Sequence, residues 1–343
     1  MHVNAVTAIC MLHRIAFTER EYEAAEYHFQ ALQRVTAQRV EQLPGFCWLS
    51  LAWADLHLTG VQIRAPHLEY YIHPDFQSRP FRGKFQSDAD TYFLDILPDG
   101  LAISSEFKDT ATRLYQGLRE LGYFNDQRDF EWNINRGMSY EVAFLLAETQ
   151  VGVDKCGTLE EKLITIGFEM QFWGMSKPFV PQSGVQSFQM LRLSHLIATM
   201  RPGTLCTRWL VHTGTLDLLL WCLCNAAGSA LHQPQNCTPS KATPLLPTWL
   251  QRHVTFITKL LGIVGPHDLE ARLQRLPFST MWNGPACRAV FSATQIYGNT
   301  AVITKSSCAP NVELFRDLRL IFDSCPDSPS HSQEQLPRPI SAW

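Results

Sequence analysis

With 45% hydrophobic and 11% aromatic residues in 343, the chain holds enough apolar side chain for a substantial core, which excludes an intrinsically disordered protein. Its 29 lysines and arginines against 32 aspartates and glutamates give a formal charge of -3, so no global field draws it to phosphate backbones or anionic lipid. Ten widely spaced cysteines, with no Cys-x-x-Cys pair and no His-Glu-x-x-His motif, read as reduced thiols inside apolar helical patterns rather than as zinc ligands.

The opening "MHVNAVTAICMLHRIAF" has no basic start and no small-residue cleavage site, and His2, Asn4 and His13 interrupt it; it reads as the first helix of the fold. Thr18 and Glu21 have capping-box spacing, with Phe17 and Tyr22 at the staple positions, which predicts a helix from about residue 19. Tyr22, Ala25, Phe29, Leu32 and Val35 give that helix one apolar stripe, and "LPG" at 43–45 ends it. "LSLAWADLHLTG" (49–60) lies in a helix that is apolar nearly all round and carries Asp55, until Pro66 forces Ala65 out of helix.

Residues 74–100, rich in Pro, Asp, Arg and Gly, read as a long surface connection, in which "RPFRGK" (79–84) is a small basic patch or a weak import signal. Thr158 and Glu161 form a second capping box ahead of "KLITIGFEMQFW", and Met190, Leu193, Ile197 and Met200 make a stripe ended by "RPG". Gly214 separates "TLCTRWLVH" from "LDLLLWCLCNAAGSALH", which carries Asp217, falls short of the roughly 20 residues of a membrane span and reads as a buried core helix. Residues 233–247 are loop by composition. Trp249, His253, Phe256, Leu260 and Val264 mark a helix closed by Gly265-Pro266, and "DLEARLQRL" starts another that Pro277 kinks or stops. "AVITK" (301–305) is a weak strand candidate. The expected class is all-α, one multi-helix domain over 1–323 followed by a disordered tail over 324–343.

Common enzyme signatures are absent, among them the Gly-x-Ser-x-Gly elbow, the Gly-x-Gly-x-x-Gly loop and the phosphate-binding Gly-Lys-Ser/Thr motif. The sharpest enzyme alternative is an all-helical isoprenoid synthase with magnesium held on acidic residues. "NDQRDFE" supplies Asp126, Asp129 and Glu131, and Asn225 with Ser229 stand four apart, but neither is a full metal motif and a solvated turn is the commoner meaning. His253 fits a satisfied core histidine. No catalytic, cofactor or metal residue is assigned. Asp55 is the outstanding residue: a carboxylate in a buried helix needs compensation, and the preceding helix offers Arg39 or His28. Arg39 is favoured, because a guanidinium stays charged and grips both oxygens; Asp55 is then a clasp between the first two long helices.

"EAAEYHFQALQRVTAQR" followed by "LSLAWADLHLTGVQIRAP" resembles the regulatory domain of fungal transcription factors of the binuclear zinc-cluster type, through His28, Leu32, Arg39, Trp53, Asp55, Leu56 and Pro66. "FQMLRLSHLIATM", "LDLLLWCLCNAAGSA" and "LEARLQRLPFSTMWNGPACRAVF" resemble later segments of that family in the same order, so the likeness covers roughly residues 5–295. The chain departs from it at "RVEQLPG", where the family has two glycines, at Pro277, and in having no six-cysteine zinc cluster with its basic stretch. The resemblance implies a nuclear, non-enzymatic regulator. It would modulate transcription through a small-molecule effector or protein partners of the transcription machinery, without a cofactor, a membrane or specific DNA contact of its own.

Overall fold

The computed structural model describes residues 3–36, 42–76, 93, 95–97, 101–127, 132–176, 184–210, 213–231 and 246–296. Among these are twelve helices and no strand, so the class is all-α. They are α1 (Val3–Thr18), α2 (Tyr22–Thr36), α3 (Gly45–Gln62), α4 (Ser105–Gln127), α5 (Trp132–Cys156), α6 (Leu159–Met175), α7 (Gly184–Ile197), α8 (Pro202–Trp209), α9 (Thr213–Leu231), α10 (Thr248–Leu260), α11 (Pro266–Leu273) and α12 (Thr280–Ile296).

Two helices without a polar face organise the rest, because a helix apolar all round must be covered on every side. α6 is buried from Leu163 to Met175, and α9 from Thr215 to Ser229. They pack on each other; α3, α4, α5 and α7 lie on the α6 side, and α8, α10 and α12 on the α9 side. α1 and α2 cover α3. One hydrophobic cluster, from Val6 to Val290, runs through all of it. The close approach uses glycines: a Cβ at Gly174 of α6 would overlap the Trp282 indole of α12, and one at Gly228 of α9 would stand 2.9 Å from the same ring. Gly214–Leu231 is long and apolar enough to cross a membrane by length and composition, yet 89% of it is buried inside the protein.

The second capping box is formed in full. The Glu161 N–H donates to Thr158 Oγ1 at 3.2 Å, and Glu161 Oε2 accepts the Thr158 N–H at 2.9 Å. The first is a correction. Thr18 is the last residue of α1, and its hydroxyl donates back to the Arg14 carbonyl at 2.8 Å. The chain instead leaves α1 through Arg20 at φ 64, with the Glu21 N–H on the Ala16 carbonyl, a Schellman closure, and α2 starts at Tyr22. The staple pair does meet, Phe17 and Tyr22 lying edge to face at 5.5 Å.

α10 likewise stops at Leu260, earlier than Gly265-Pro266, because Gly262 takes φ +68 and the Ile263 N–H closes on the Thr258 carbonyl. Val264 is left 76% exposed. Part of the expected surface connection is core: Phe93, Ile96 and Leu97 are buried, and Phe93 stacks on Tyr115 at 4.5 Å. Pro277 lies between α11 and α12 and accepts the Trp221 indole N–H at 2.7 Å. "RPFRGK", most of the 233–247 loop, "AVITK" and the tail lie outside the described residues.

Candidate functional site

Asp55 is 1% exposed, and both of its oxygens are engaged. Arg64 Nη1 donates to Oδ1 at 2.9 Å, the Leu68 N–H donates to Oδ2 at 2.9 Å, and His67 Nδ1 stands 3.5 Å from Oδ1. The arginine comes from the turn after the carboxylate's own helix, where Ile63 at φ 52 ends α3 and swings the chain back over it. The turn also reaches α2: Arg64 Nε donates to Gln62 Oε1, Gln62 Nε2 donates to Glu26 Oε2, and the guanidinium lies 5.6 Å from the Phe29 ring centre. The α2–α3 connection therefore runs through Arg64, Gln62 and Glu26. Arg39 lies outside the described residues; His28 is half-buried, edge to face with Tyr27 at 5.9 Å, and is not among the ion-pair partners of Asp55.

The same device recurs. Glu160 takes a two-pronged grip from Arg208 at 2.7 and 3.1 Å, and Asp217 takes Arg272 at 2.8 Å. A buried carboxylate met by an arginine from a following element is thus a repeated structural solution here, and Asp55 is one instance of it. Glu169 of α6 differs. Its Oε2 accepts from Gln189 Nε2 at 2.6 Å, and a Gln150 amide turned to satisfy both its ends donates to Oε1 at 2.7 Å. Burial pushes its carboxyl up to about 8, against the opposing pull of Arg192 and the Gln189 donation.

An amide cluster ties the two central helices to α12. Asn283 Nδ2 donates to Gln171 and Asn225, and its Oδ1 accepts from Gln171 Nε2 and the Ser279 N–H. Asn225 of the enzyme alternative is thus spent on a structural bond, and Ser229 is buried beside it in α9. Asp126 binds the Ser279 hydroxyl and the Thr280 N–H at the start of α12. Asp129 and Glu131 lie outside the described residues. Among the described residues no group of three His, Cys, Asp or Glu side chains is placed to hold a metal ion.

Among the described residues a cavity of about 200 Å³ lies between α1, α3 and the first part of α5. Cys10, Leu49, Trp53 and Ala54 give it apolar walls, and among the described residues His13, His57, Arg14 and Arg136 also line it. His13 and His57 are 1% and 4% exposed, with parallel rings 6.3 Å apart. His13 Nδ1 lies 2.9 Å from the Ala25 carbonyl, which can only accept, so Nδ1 carries the proton and Nε2 is a bare acceptor. Neither His13 Nε2 nor His57 Nε2 has a hydrogen-bond partner. Burial holds both rings neutral, lowering His13 below the usual imidazole range and His57 to about 3; it also raises the Cys10 thiol to about 12, far from a reactive thiolate. His253 is a core histidine bonded through Nδ1 to the Trp249 carbonyl at 2.7 Å.

The cavity leaves only a faint signal in the sequence. His13 shares the inward stripe of α1 with Val6, Cys10 and Phe17, and His57 follows Asp55 by two residues in a helix with almost no polar face. Two imidazoles on the buried faces of neighbouring helices are visible only once those helices pair. Comparison with models of known families, with curated proteins and with solved structures returns no match to the chain.

Proposed function

We propose that the chain is a regulatory helical domain similar to that of fungal zinc-cluster transcription factors, acting on transcription in the nucleus through an effector or a protein partner. The observation that carries the reading is the partly open, mainly apolar cavity beneath α1, with unpartnered histidine nitrogens on its wall and α3, a helix that carries the resemblance, along one side. Such a space suits a small molecule that stabilises one arrangement of the α1–α3 layer over another. The Asp55–Arg64 turn adds support, because it makes α2 and α3 respond together to whatever fills the cavity beside them. The isoprenoid-synthase alternative gains nothing from Asp126, whose carboxylate caps α12.

The test is to tether the chain to an unrelated DNA-binding domain and read a reporter gene. Tethering changes transcription, and Ala54→Leu or Ser50→Phe, which fill the cavity from inside and from its edge, alter the response while the protein level stays constant. A reporter indifferent to the tethered chain and to both variants overturns the reading. The purified chain alone does not bind duplex DNA specifically, since a charge of -3 offers little counterion release; salt-sensitive retention of one promoter fragment contradicts this.

A further inference from the structure

We infer that His13 and His57 form a proton-operated latch beneath α1: the layer that α1 and α2 lay over α3 stays closed while both rings are neutral and opens when acid charges them. The inference goes beyond the regulatory reading and does not depend on it.

Placement comes first. His13 stands on α1 and His57 on α3, their rings parallel within 2° and 6.3 Å apart, at 1% and 4% exposure. Phe17 of α1 stacks on His57 at 4.8 Å, and Trp173 of α6 meets the same ring at 5.3 Å. The two imidazoles therefore pack the α1–α3 interface as neutral rings.

A proton has no place while the layer is closed. His13 Nδ1 is spent on the Ala25 carbonyl, so an added proton falls on Nε2, and Nε2 of neither ring has a hydrogen-bond partner. Two imidazolium rings at this separation, out of water, also repel each other.

The surrounding charges do not repair this. Arg14 of α1 opposes a positive charge on His57, and His28 of α2 opposes one on His13. Glu26 of α2 and Asp55 of α3 favour a charge on His13, but Glu26 is bound to Gln30 and Gln62, and Asp55 to Arg64 and the Leu68 N–H, with His67 at 3.5 Å. Arg136 reaches the cavity wall from α5 and adds a cation, while the Cys10 thiol and the Tyr22 phenol, both raised by burial, stay uncharged. Burial accordingly holds both rings neutral, with His57 lowered to about 3.

Opening is also local. α1 and α2 pack chiefly on each other and on α3, and the α6–α9 core is built without them. The cavity of about 200 Å³ under α1 leaves part of that interface with no contacts to lose. Once the layer parts, both rings meet water and titrate near ~6.5. Closure is thus complete above about pH 6.5 and weakens as the pH falls. Between pH 7 and pH 5 the open fraction rises about 25-fold through His57, and by a further factor of up to about 25 through His13.

The experiment follows amide hydrogen exchange in the full chain at pH 7, 6 and 5, with rates corrected for the intrinsic pH dependence of exchange. Amides of α1 between Val6 and Phe17 lose protection by about 25-fold or more from pH 7 to pH 5, while those of α6 and α9 stay better protected than α1 at each pH. His57→Phe, which keeps a ring in the stack, cuts the pH response of α1 about 25-fold, and His13→Gln, which can still donate to the Ala25 carbonyl, removes the remainder. Should a variant fail to fold, the comparison of α1 with α6 and α9 in the parent chain decides. Corrected α1 protection that is equal at pH 5 and pH 7, α1 amides that exchange together with those of α6 and α9, or a folded His57→Phe variant with the parent's pH response overturns the inference.

Discussion

At Asp55 the balance is between desolvation and a grip. A carboxylate at 1% exposure is tolerable because Arg64 and the Leu68 N–H take both oxygens, so removing Arg64 strands a charge in the core. Arg64→Ala and Asp55→Ala each lower stability by about 3 kcal/mol in urea denaturation, and the double variant loses far less than the sum. The neutral histidines set the acid limit. His57 and His253 have folded pKa values of about 3 and 4, below the ~6.5 of an unfolded histidine, so the unfolded chain binds more protons at acidic pH. Their contribution is complete above about pH 6.5 and is lost as pH falls toward 4, about 2 kcal/mol for each by pH 5. Melting temperature therefore drops between pH 7 and 5, and His57→Phe removes part of that slope. Glu169 acts in the other direction: its carboxyl is raised to about 8, so stability is lost as pH rises from about 4.5 toward 8. Glu169→Gln gives a protein whose advantage over the parent grows from pH 5 to pH 8.

Among the elements, the α6–α9–α12 junction is the least forgiving. Gly174→Ala drives a methyl into the Trp282 ring from a helix that neighbours cover on all sides, and overpacking of this kind costs about 3 kcal/mol, read as a lower melting temperature. Thr158→Ala at the start of α6 costs about 1 kcal/mol, the usual value of a cap. These two sites differ in how far the sequence alone exposes them. Thr158 and Glu161 interact within one helical turn, so spacing alone revealed them, as the 3.6-residue stripes revealed most of the helices. Thr18 and Glu21 have the same spacing, yet α1 ran through Thr18 and closed at Arg20, because an existing helix competes for the residues a new one would use as its cap. Trp282 beneath Gly174, Asn283 beside Asn225 and His13 against His57 are meetings of distant segments. The residue types were conspicuous, but their partners are set by how the helices pack.

At the scale of the molecule, one continuous hydrophobic core joins the described helices from Val6 to Val290. The described cysteines are all free and most are buried. Treatment with EDTA or with a thiol reductant accordingly leaves the melting temperature unchanged, and a chelator-induced loss of helix by circular dichroism contradicts this. The Asn283 cluster has a consequence for how such a chain is made. Asn283 lies 58 residues after Asn225, so α9 leaves the ribosome with the Asn225 side-chain oxygen unanswered and with the sides that α10 and α12 later cover bare. At ~5–20 residues per second the strand of synthesis that completes its cover takes about 3 to 12 s. During that interval α9 offers chaperones and membranes a long apolar helix, and a chain cut short before α12 remains at that stage and accumulates as aggregate instead of folded protein.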